Sequence, residues 1–495
     1  MFFAPQCWIR VACLSLFAVG CALLPAGNQP EQEVYDLVIL NGRVLDPETY
    51  RDQIAHVGIR GESIAAISPL PLRGRREIDA AGMVVAPGFI DILSSTRADR
   101  ETFIQKISDG VTTTFGMHGG PLNAEEYHRR MLKAGPLLNY GIAIGDRVLR
   151  NAAGVTDPYQ SATKEQIVRM QQLADQAIRS GAAGIGFGIN YVPGSSYDEV
   201  FGLFEVAARH GVPCAVHARY KGNIFPETMS LAVMEIIGMA AATGASAQLV
   251  HLSSSTVGSM PLCLKLIEGA LRHGVDLGFD FHVWTRNETT LQSALYDEGW
   301  QERFGGISYD KIYVSETQEQ LTQARFEELR RRKEPLDVQT EFISEEEIEM
   351  AVRSPLGIIS SDGGGLENGK GHPRSVGTFC RFLRLYAGDD KILPLMEGIR
   401  RIALLPARRL ERAVPRMKRK GRIQVGADAD IVVFDPAKVR ERATYKAPAL
   451  ASEGVRFVLV NGCLVLGQGK PLKGIAPGQW LRHSCTEHGP HAEPL

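Results

Sequence analysis

Eight short apolar runs punctuate the middle of the chain, and stretches with helical spacing separate them. They read "VVAPGFIDI", "GVTTTF", "NYGIAIG", "AAGIGFG", "VPCAVHA", "AQLVHL", "VDLGFDF" and "LGIISSD", the first opening at Val84 and the last closing at Asp362. Continuous apolar strands alternating with helices argue for a parallel sheet covered on both faces. Eight such units predict a (β/α)8 barrel of the TIM type, within the α/β class. A doubly wound open sheet is the alternative.

The pattern differs on either side of the runs. "YDLVILNGRVLD" alternates apolar and polar positions and breaks at Asn41-Gly42, a hairpin signal. "VRFVLVNGCLVL" repeats the signature at Asn461-Gly462. The two flanks are therefore expected to meet in one small β-sandwich built from both termini, residues 34–85 and 420–475. The barrel would span 86–419, with an insertion at 285–350 between runs seven and eight. Within that insertion, "ETQEQLTQARFEELRRRKEPL" reads as a charged, solvated helix. Long insertions of this kind are often lids beside a site. Residues 476–495 read as a polar tail.

With 495 residues the chain exceeds one compact core, which fits a large domain plus a small one. Lys+Arg 55 against Asp+Glu 56 leaves a net charge of −1, so no global field recruits nucleic acid or an acidic surface. The first 27 residues stand apart. Arg10 is the only charge there, and "VACLSLFAVGCALL" is an apolar run too short for a confident span, as in a secretory signal. Ala18-Val19-Gly20-Cys21 resembles a bacterial lipoprotein cleavage site, with Cys21 the lipidated residue. The expectation is an exported protein, periplasmic or a membrane-anchored lipoprotein, touching membrane only through Cys21. Cleavage near Pro25-Ala26-Gly27 would instead leave it soluble. Beyond the leader, Cys214, Cys263, Cys380, Cys463 and Cys485 are widely spaced and form neither a disulfide framework nor a zinc pattern.

Barrels of this kind place their sites at the C-terminal strand ends. Run one ends at Asp91, followed by Leu93 and Ser95. Run two leads to His118, run four to Asn190 and Tyr191. Run five carries His217 and Arg219, run six His251, run seven His282, and run eight closes on Asp362. The chain has 12 histidines, and four lie at these rims. Three imidazoles around one ion leave a fourth position for water, the arrangement of a hydrolytic zinc site. A nearby carboxylate then serves as acid and base. Each feature also has a plain reading. Asp91 suits holding the strand-one turn better than binding metal. His282 suits packing as well as substrate contact. His372 in "GHPR" orders the loop carrying Arg374. His483, His488 and His491 belong to the tail. There is no GxSxG elbow, and "DGGGLENGKG" lacks a dinucleotide fingerprint.

"DLVILNGRVLD", "VAPGFIDI", "GVTT", "HARY", "VHL", "SSDG", "HPRSVGTF" and "GADADIVVFDP" together resemble the amidohydrolase superfamily, and more narrowly the D-aminoacylases (N-acyl-D-amino-acid deacylases). The shared order of these motifs carries the resemblance over nearly all the chain after the leader. It implies zinc-dependent hydrolysis of the amide between an acyl group and a D-amino acid. It implies zinc ligands at His118, where the family has cysteine, and at His217 and His251, with Asp362 as acid and base. Three departures follow from the comparison. Leu93-Ser94-Ser95 replaces the family's strand-one His-x-His, so the second metal position lacks its ligands and one Zn²⁺ per chain is expected. His118 replaces a thiolate. Ser253 stands where the family has lysine, and Glu288 near its serine, which puts recognition of a free α-carboxylate in doubt. Tyr191 and Arg374 persist, Arg286 is new, and His282 stands where tyrosine is common; these four are the candidate substrate contacts.

The leading expectation is a mononuclear zinc amidohydrolase acting on N-acyl amino acids or related small amides. A non-catalytic binding protein on the same scaffold is the rival, motivated by the lost strand-one pair. Asp362 speaks against it, since a pure binder has no need of that aspartate. A third reading keeps the chemistry but takes a cyclic amide or peptide-like ligand.

Overall fold

The computed structural model describes residues 34–222 and 228–484. The leader with Cys21, and Cys485, His488 and His491, lie outside the described residues.

The eight runs form one eight-stranded parallel sheet, each strand pairing with the next in sequence. The strands are β1 (Phe89–Asp91), β2 (Val111–Gly120), β3 (Asn139–Gly145), β4 (Ile185–Gly188), β5 (Cys214–His217), β6 (Ala247–Leu249), β7 (Leu277–Phe281) and β8 (Gly357–Ile359). Between β1 and β8 there is no ladder; the sheet closes just beyond them. Ser94 and Gly363 form a parallel bridge, and Ser94 Oγ donates to the Gly363 carbonyl at 3.0 Å. The fold is a (β/α)8 barrel. Its strands are buried on both faces, which is why they read as continuous apolar runs rather than as alternation.

The flanks build a nine-stranded, mostly antiparallel sheet, in which Val84–Pro87 pairs with Ile431–Phe434. Here the period of two decides the packing. Val85, Ile431 and Val433 point into the core of this sheet with Ile39, Val57 and Leu459. Val84, Ala86, Val432 and Phe434 point the other way, into the barrel's core. These two strands fasten the small unit to the large one.

Two expectations change here and one holds. Asn41-Gly42 is not a hairpin turn: Leu37–Asp46 is one strand with a bulge there, and Asn41 sits at φ 61°. Its N–H donates to His56 Nδ1 and its Nδ2 to Asp79, so neighbouring strands hold the left-handed residue inside the sheet. Asn461-Gly462 does turn, with both residues at positive φ, between the paired strands Val455–Val460 and Cys463–Gly467. The polar tail gives way as far as it is described: Tyr140 exchanges backbone hydrogen bonds with Gln479 and Leu481, and Leu481 is buried. His483 Nδ1 donates to the Ala413 carbonyl at 2.9 Å.

In the insertion, the charged stretch is helical only over Gln323–Arg330. Around it stands a three-stranded antiparallel sheet of Arg286–Thr290, Asp337–Glu341 and Ile312–Val314. An aromatic cluster of Tyr296, Trp300, Phe304 and Phe326 gives this sheet its own core.

Candidate metal centre and active site

The C-terminal ends of the barrel strands open into a cavity of about 550 Å³. His118, His217, His251 and Asp362 line it, with Tyr191 and Arg374. The insertion supplies the facing wall through residues such as Asn287, Thr289 and Asp337.

Local sequence explains how the donors arrive. β2 runs on past the barrel's waist and curls against β4. A Cβ at Gly186 would sit 2.3 Å from the His118 carbonyl carbon, so only glycine lets the His118 backbone come this close. His251 and Asp362 both occupy the left-handed region, at φ 36° and 52°. Non-glycine residues are held there only when their surroundings enforce it, a form of strain concentrated at functional sites. The enforcing groups are two buried aspartates. Asp280 on β7 accepts from the His251 N–H at 3.0 Å and from Ser360 Oγ at 2.6 Å. Burial pushes its pKa up to about 6 against those hydrogen bonds. Asp91 at the end of β1 accepts from the Ser361 N–H at 2.9 Å, from Ser361 Oγ at 2.5 Å, and from Lys106 Nζ at 2.7 Å. Asp91 thus braces the residue before Asp362, across the seam where the barrel closes.

Among the described residues, one group of donors has ligand atoms all within 4.8 Å of one another: His118, His251 and Asp362. His118 Nε2 lies 2.6 Å from Asp362 Oδ1, and Arg374 Nη1 lies 2.5 Å from Asp362 Oδ2. The His217 ring stands outside that group but 4.3 Å from the His251 ring, edge to face, with Tyr191 4.9 Å away on its other side.

Protonation states suit a cation. Ser254 Oγ donates to the His251 carbonyl, so it accepts from His251 Nδ1, which leaves Nε2 as a free lone pair. Burial pulls His251 down to about 4 and His217 well below the usual imidazole range, so both are neutral at pH 7. His118 Nδ1 and His217 Nε2 are buried without a hydrogen-bond partner among the described residues, a costly state that a coordinated ion relieves. Burial alone would raise Asp362; the Arg374 guanidinium and the imidazoles of His251 and His118 outweigh it and hold the carboxyl well below the usual range. Neutral imidazoles beside an ionised carboxylate are a donor set that zinc accepts.

The strand-one rim is different. Leu93 is fully buried in the barrel core and Ser94 is tied to Gly363. Ser95 alone of the three reaches the cavity.

Two candidate substrate contacts are not on the wall. Arg286 pairs with Glu341 at 3.2 Å and lies against the rings of Tyr313 and Tyr445, which commits its guanidinium to these partners. His282 is fully buried and is not among the lining residues. Its Nδ1 accepts from the Trp284 N–H, and burial drives it down to about 3, so it packs as a neutral ring. His372 Nδ1 accepts from the Arg374 N–H at 3.0 Å and its Nε2 donates to the Arg286 carbonyl, fixing the start of the helix that carries Arg374. Lys221, Ser254 and Asp280 escaped sequence reading. The signals existed: a lysine four residues past His217, a serine three past His251, and an acid inside an apolar run.

The amidohydrolase family profile matches residues 357–466. The N-acyl-D-glutamate deacylase of Alcaligenes xylosoxydans xylosoxydans is 32% identical over 92% of this chain and 99% of its own. The chain belongs to the D-aminoacylase family of amidohydrolases. The crystal structure of N-acyl-D-glutamate deacylase from Bordetella bronchiseptica, complexed with zinc and a phosphonate mimic of the tetrahedral intermediate, superposes with a TM-score of 0.78 at 27% identity, covering 91% of this chain and all of that one. A D-aminoacylase structure, described in terms of a binuclear centre with one-metal activation and second-metal attenuation, gives 0.77 at 26% identity, over 91% of this chain and 100% of its own.

Proposed function

We propose that this protein is a zinc-dependent amidohydrolase that cleaves the amide bond of N-acyl amino acids, of the D series by its kinship. The observation that carries the reading is the cluster of His118, His251 and Asp362, with neutral His217 packed against His251, at the open end of the barrel. These four residues would hold or border the ion. The chemistry zinc would supply there is polarisation of the amide carbonyl and a lowered pKa for a water. Asp362 takes the proton of the attacking water and returns it to the amine as the C–N bond breaks. Arg374 holds Oδ2 and so fixes which carboxylate edge faces the reacting atoms. Tyr191 fills the wall over His217, and its hydroxyl accepts from Thr289 of the insertion at 3.2 Å, linking that wall to the barrel.

The test is metal analysis of purified protein with a screen of paired N-acyl-D- and N-acyl-L-amino acids. About one zinc per chain and turnover of the D series are expected. No zinc after metal-replete expression, or no turnover of any member, overturns the reading. Two tightly held ions would overturn the mononuclear part alone. Export is proposed as well, through residues 1–27 with lipidation at Cys21. The apolar run after Arg10 supports it, and Cys21→Ala should release the protein from the membrane fraction.

A further inference from the structure

Four residues beyond His217, the chain buries a lysine that forms no ion pair among the described residues. Lys221 is 3% exposed. Its Nζ lies 4.6 Å from the centre of the Phe304 ring and 4.5 Å from that of Phe342. Among the described residues no carboxylate or carbonyl accepts a hydrogen bond from it. Its backbone is pinned: Thr228 Oγ1 donates to the Lys221 and Gly222 carbonyls, and the Gly222 N–H donates to Ser255. The side chain is therefore held where it is by design of the loop rather than by an ion pair.

Three other cations nearby are paired. Arg374 is paired with Asp362, Arg286 with Glu341, and Arg219 with Glu235. Arg147 is exposed at the mouth of the cavity. Lys221 lines the same cavity as the histidines and Asp362, and also borders an adjoining hollow of about 510 Å³ beside Asn190 and Tyr197. An uncompensated buried charge is expensive, and aromatic faces offset only part of that cost. Burial lowers its pKa to about 7, the charge of Asp362 across the cavity offsetting only part of that effect.

We propose that Lys221 is the specificity-determining cation of this site, receiving a carboxylate of the substrate. The inference rests on the deacylase reading and adds what that reading lacks, a group for a free acid. Because the contact is made in ground and transition states alike, its loss raises KM and leaves kcat nearly unchanged.

The test compares wild type, Lys221→Met and Lys221→Arg on two pairs of substrates. N-acetyl-D-leucine against N-acetyl-D-leucinamide probes the α-carboxylate; N-acetyl-D-glutamate against N-acetyl-D-glutamine probes a side-chain carboxylate. Lys221→Met should raise KM roughly 10- to 100-fold for the acid of one pair, as expected for a lost hydrogen bond to a charged group, and leave its neutral partner unaffected. Lys221→Arg should recover part of the loss. The pair that responds identifies the carboxylate. Methionine suits the contact with Phe304 and Phe342, and a thermal melt verifies folding. Equal effects on acid and neutral partner in both pairs, with wild type active, overturn the role of Lys221 and leave the deacylase reading standing. If wild type turns over none of the four, the deacylase reading fails, and calorimetry with N-acetyl-D-leucine and N-acetyl-D-glutamate decides for Lys221. Weaker binding by Lys221→Met supports it; unchanged or absent binding overturns it.

Discussion

Two stretches of the barrel rim have gone opposite ways. At β5 and β6 the strands lead to His217 and His251, buried neutral imidazoles packed edge to face on the cavity wall. β1 ends in Asp91, with Leu93, Ser94 and Ser95 just past it, and of these only the Ser95 side chain reaches the cavity while the first three face the fold. Asp91 binds Lys106 and Ser361, Leu93 joins the core, and Ser94 bridges to Gly363. A rim position has two uses, to present a ligand atom or to close the cylinder. Here Asp91, Leu93 and Ser94 are spent on closure, at the one seam of the eight-stranded sheet without a strand ladder, which leaves the short Ser95 hydroxyl as the rim's only contact with the cavity. That gives a physical reason to expect a single metal position rather than a pair.

The sharpest way to break this comparison is at Asp362, which the β1 rim braces and the β6 rim faces. Asp362→Asn should keep about one zinc on the imidazoles yet lower kcat roughly 10²- to 10⁴-fold, as loss of a positioned acid/base does. Full activity on a confirmed substrate would move the proton chemistry elsewhere. Next is Asp91→Ala, which strands the Lys106 ammonium in the core. Breaking a buried pair by removing one partner costs about 3–5 kcal/mol, so a large drop in denaturant midpoint is expected with zinc still bound by the folded fraction. An unchanged midpoint would mean that closure does not depend on this rim.

At the β6 rim, Ser254→Ala frees the His251 tautomer. Zinc affinity should fall about 10- to 100-fold, the usual cost of losing a ligand's outer partner, and competition with a chelator reads it directly. Stability then offers a pH test at Lys221. Its folded pKa of about 7 lies below the unfolded value near 10.4. The penalty of burying the ammonium is full below pH 7 and is relieved as pH rises between those values, because the unfolded chain then binds the extra proton. Lys221→Met should accordingly melt above wild type at pH 6, with the gap narrowing by pH 9; a gap independent of pH would contradict the buried charge. The smallest effect is expected from Ser95→Ala: zinc content intact and stability within about 0.5 kcal/mol, as for a surface change away from special features. Loss of metal in that variant would return β1 to the ligand set.

Much of this was legible in one dimension because it depends on period and order. Eight apolar runs separated by helices demand a parallel sheet buried on both faces, and alternation at both ends demands a sheet with two different faces. The strand-end positions of His118, His217, His251 and Asp362 follow from the same pattern. Arg286 and His282 lie off the cavity wall for a common reason. Both lie just past β7, where sequence supplies a place on the rim but not a direction. Arg286 was drawn into the insertion by Glu341 and two tyrosines, and His282 was turned under the rim to meet the Trp284 N–H. Asn41-Gly42 looked like a turn because left-handed residues favour turns, but a bulge asks for the same backbone.

By itself, then, the sequence determined the architecture, the side of the barrel that carries the chemistry, and the absence of a histidine pair on β1, since each of these is a property of local period or of residue identity. Only the tertiary structure decided that Asp362 sits among the imidazoles, that Asp91 and Asp280 hold the strained residues in place, and that Lys221 lies buried against two aromatic rings with no ion pair among the described residues. Those facts depend on groups far apart in the chain, such as Asp91 with Ser361, Asp280 with His251, and Lys221 with Phe304 and Phe342. Such contacts exist only once packing has excluded water, because it is the loss of solvent that makes an unpaired charge or a single hydrogen bond decisive.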